Sequence, residues 1–60
     1  MQHEVERIEE LARKLQLGQG EVMRIAAELM GHEVVSLYDL ERAQLTRIVS
    51  HLDALALVAV

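Results

Sequence analysis

The chain has 60 residues, of which 52% are hydrophobic and 27% charged, with a formal net charge of −4 and no cysteine. This composition excludes a disordered chain, a disulfide scaffold and a thiolate metal site, and the acidic balance opposes an autonomous binder of phosphate backbone, which needs clustered Lys and Arg. A chain this short makes one domain, 1–60, and buries only about 60% of the surface of its unfolded form, so helix packing, alone or with a partner subunit, has to hold it.

Residues 3–16 carry Val5, Ile8, Leu11, Ala12 and Leu15 at the three–four spacing of one helical face. Glutamates gather at the start and Arg13 and Lys14 stand in the last turn, which suits the helix dipole at both ends. Gly18 is expected to take the left-handed position that ends this helix. Residues 20–30 predict a second, shorter helix with a wide stripe of Val22, Met23, Ile25, Ala26, Leu29 and Met30. Gly31 is its stop.

A connector follows, in which Val34 or Val35 packs inward. Ser36 then reads as a helix N-cap with Asp39 three residues on, and Val35 and Leu40 have the spacing of a hydrophobic staple. From there Leu37, Leu40, Leu45, Ile48, Leu52 and Leu55 recur at helical intervals, predicting a third helix over 36–56. The fold expected is all-α, a three-helix bundle with helices over about 3–16, 20–30 and 36–56.

The segments "IEELARKLQL", "EVMRIAAELMG" and "LYDLERAQLTRIVSHL" together resemble a small helical module of phage proteins. The likeness is to the C-terminal segment of phage-type single-strand annealing recombinases (the RecT/Redβ and Erf-like groups), and also to the helical domain of a regulatory family of Mu-like phages. In such modules the first helix ends in Leu-Gly, the second in Gly, and the third reads L-T-x-x-E-A-x-x-L-I-x-x-L. Leu40, Ile48, Val49 and Leu52 stand at the leucine and isoleucine positions. Glu41 replaces the capping threonine, Gln44 the box glutamate, and Leu45 the usual alanine, while "LQLG" carries an inserted residue. With Ser36 as the stronger cap, the third helix is expected to begin a turn earlier than in the family. The resemblance covers residues 3–53 and implies an accessory domain of a phage or DNA-recombination protein that recruits a protein partner or helps position nucleic acid, without catalysis.

The candidate sites come from surplus chemistry. After Asp53 the tail is apolar nearly all round, and a helix apolar on every side needs cover on every side. Leu55, Leu57, Val58 and Val60 therefore either fold back over the core, meet a continuation of the chain, or bury against another copy or a partner, which is the reading favoured here. Arg42, Arg47 and His51 give the third helix a mildly basic strip that would suit an acidic peptide or a phosphate backbone. His3, His32 and His51 lack metal-ligand spacing, so no metal or cofactor is expected. The few hydroxyls, Ser36, Tyr38, Thr46 and Ser50, come with no base and little room for a cavity, so neither an enzyme nor a small-molecule substrate is expected.

The sequence opens on charged, periodic residues rather than a signal peptide, and its apolar tail is far shorter than the ~20 residues that span a bilayer. A soluble, cytoplasmic protein without a membrane partner is expected. Two functions remain. One is a protein-interaction or oligomerisation module, with a homo-oligomer as its simplest form. The other is a small nucleic-acid-binding regulator in which helices two and three act as a helix-turn-helix pair, a reading the charge opposes.

Overall fold

The computed structural model describes residues 3–59, without the side chain of residue 59. Three α-helices run in the order α1 (His3–Lys14), α2 (Gln19–Met30) and α3 (Arg42–Ala59), with a short 3-10 turn at Leu37–Asp39 before the last. The all-α three-helix bundle is therefore the fold; against the expected 3–16, 20–30 and 36–56, α1 ends at Lys14, α2 starts at Gln19, and α3 both starts later and ends later, at Ala59.

Val5, Ile8, Leu11 and Ala12 form the buried stripe of α1, with Glu4 and Glu6 in its first turn and Arg13 and Lys14 in its last. The end of α1 is not made by Gly18. Gln16 takes the left-handed conformation at φ 58. Its N–H donates to the Arg13 carbonyl (3.1 Å), and the Leu17 N–H reaches back to Ala12 (2.8 Å). This pair of bonds is a Schellman closure, which satisfies carbonyls that the last turn leaves open. Leu17 is half-buried against the core, so the turn is set by where that leucine must go.

Gly18, one of the three residues that could cap α2, sits at φ −77, ψ 165 as its N-cap. Its N–H donates to Glu21 Oε1 (3.3 Å), the one half of a capping box that a residue without a side chain permits. Val22 and Ala26 are buried, and Gly31 ends α2 at φ 80 with its N–H on the Ala27 carbonyl, as expected.

The connector resolves in favour of Val34, which is buried, whereas Val35 is 83% exposed and forms no staple with Leu40. Ser36 caps the 3-10 turn rather than α3: its Oγ accepts from the Tyr38 N–H (3.2 Å). Leu40 is extended (φ −92, ψ 148), and α3 starts at Arg42, six residues later than expected. Gln44 Oε1 accepts from the Glu41 N–H (2.8 Å) and the Leu45 N–H bonds the Glu41 carbonyl (3.0 Å), so the true start signal is Glu41 with Gln44. Burial explains the break. At roughly 100° per residue, a helix running unbroken from Ser36 would carry Leu40 over 100° away from the stripe of Leu45, Ile48 and Leu52. Interrupting the helix lets Leu37 and Leu40 both enter the core.

Leu45, Ile48 and Leu52 are fully buried, and α3 packs chiefly on α1. The two run in the same direction, since Arg42 pairs with Glu4 (3.2 Å) and Arg7, further along, with Asp53 (3.3 Å). α2 packs against the other side of α3, and Arg47 donates to the Leu29 carbonyl in its last turn (3.3 Å). No buried side-chain nitrogen or oxygen lacks a partner among the described residues. No helix among them is long and apolar enough to cross a membrane.

Candidate functional site

The outward side of α3 follows from its inward side. Leu45, Ile48 and Leu52 point into the core, so at roughly 100° per residue Ala43, Ser50, Ala54 and Leu57 lie opposite. All four are exposed. Toward the end of α3 the face turns apolar: Leu57 is 80% exposed, Val58 84%, and Leu55 39%. Val60, the remaining apolar candidate, lies outside the described residues.

Beside this face runs the seam between α1 and α3. Its wider part is a groove of about 590 Å³ with Leu11, Leu15, Ala56 and Leu57 as its apolar wall and Arg7, Lys14 and Asp53 at the rim. Its narrower part, about 360 Å³, lies between His3, Glu4, Arg7, Thr46 and Val49. Arg7 lines both and divides them, held by Glu10 (2.8 Å) and Asp53 (3.3 Å). Lys14 makes no ion pair among the described residues, which leaves a free cation at the mouth of the wider groove. A third depression, about 350 Å³, opens between α1 and α2 over Ile8, Ala12, Leu17, Val22 and Leu37.

The basic residues do not gather. Arg42 and Arg47 are five positions apart, roughly 140° around the helix, and each is used within the chain. Arg42 turns toward α1 and pairs with Glu4; Arg47 turns toward α2 and the Leu29 carbonyl. His51 is exposed one turn beyond Arg47. The Glu4 carboxyl is held below its ordinary value, first by a hydrogen bond from its own backbone N–H, against partial desolvation, and then by Arg42 and His3.

Among the described residues no three of His, Cys, Asp and Glu cluster in a way that would hold a metal ion. His32 Nδ1 lies 3.0 Å from the Glu33 carbonyl, a local contact. The seam was not foreseen from spacing, although the Leu11–Leu15 pair and Arg7 carried its signal. Tyr38 is likewise open, 65% exposed beside Val35 on the connector. No family profile, no curated protein and no solved structure matches this chain.

Proposed function

We propose that this chain is a non-catalytic helical protein-interaction module, which docks its partner through the outer face of α3 and the adjoining α1–α3 seam. The observation that carries the reading is the open apolar end of α3, Leu57 and Val58, set beside an apolar groove. Covering a leucine and a valine so exposed is worth about 1.5–3 kcal/mol each at full burial. The separation of Arg42 and Arg47, roughly 140° apart around α3, supports a protein partner over a phosphate backbone, because the two guanidiniums do not stand in one strip. The likeness in helix spacing to phage annealing modules suggests the setting: an accessory domain of a phage or DNA-recombination protein.

The test is capture by the immobilised chain against a Leu57→Asp, Val58→Asp double variant, with proteins and nucleic acid offered together. The expected result is a protein, this chain or another, held by the first and lost by the second, with little response to salt. Identical capture by both chains overturns the reading. Capture of nucleic acid that falls steeply with salt would establish the regulator instead.

A further inference from the structure

We draw no further inference here: the strongest candidate, the open apolar end of α3 at Leu57 and Val58 with the α1–α3 groove beside it, belongs to the docking surface already proposed, and nothing in the structure shows what covers it.

Discussion

Gln16 holds the left-handed place expected of Gly18. The left-handed position after α1 belongs to Gln16 at φ 58, and the glycine two residues later sits in extended backbone open to any residue. For an L-residue the left-handed region costs about 1–2 kcal/mol, since Cβ crowds the following carbonyl. Burying Leu17 and closing the turn on Ala12 and Arg13 outweigh that cost. Gln16→Gly removes the crowding but frees the unfolded chain, which returns part of the gain. The expected outcome is a net stabilisation of about 0.5–1 kcal/mol, read as a Tm rise of a few degrees by circular dichroism. At Gly18 a new Cβ would meet only Glu21 Oε1, at 3.8 Å. Gly18→Ser therefore adds a capping hydroxyl without strain, and should raise stability by a few tenths of a kcal/mol or more.

At the scale of the element, the start of α3 was contested by two signals. Ser36 has the better capping side chain, yet it serves a single 3-10 turn, while Glu41 and Gln44 open the helix itself. Ser36→Ala should leave amide exchange protection over residues 45–52 unchanged. Gln44→Ala removes the acceptor of the Glu41 N–H and should lower protection in the first turn of α3, at a cost of about 0.5–1 kcal/mol. Equal effects of the two substitutions would mean that the helix runs on through Leu40. These outcomes mark what the sequence could convey. The buried stripes were legible because Val5, Ile8, Leu11 and then Leu45, Ile48, Leu52 repeat with the helical period, which is local information. The break at Leu40 and the choice of Val34 over Val35 were not, because both are decided by which side chain reaches a core built from distant segments. The surplus of Leu57 and Val58 was legible from the unbroken apolar run after Asp53. The seam beside them appears only once α1 and α3 are laid side by side, and the separation of Arg42 from Arg47 follows from their five-residue spacing once α1 and α2 flank α3.

At the scale of the whole molecule, two leucines five residues apart on α3 separate folding from association. Leu52 is fully buried and Leu57 is 80% exposed. Leu52→Asp places an unpaired charge in the core, where no partner is at hand, so the cooperative melting of the bundle should be lost. Leu57→Asp puts the same charge into water and should leave the monomer's fold intact. A partner that binds only the folded chain stabilises it in proportion to its concentration, so a self-associating domain must melt at a temperature that rises with its own concentration. A 60-residue core supplies roughly 3–5 kcal/mol on its own, which makes such a contribution large in relative terms. With a second copy as the partner, thermal melts of the full chain over a hundredfold dilution series should therefore show a falling Tm, while Leu57→Asp should melt at one temperature throughout, matching the dilute limit of the parent chain. A parent Tm that does not move on dilution, with folding otherwise intact, would leave the open end of α3 to a partner other than this chain.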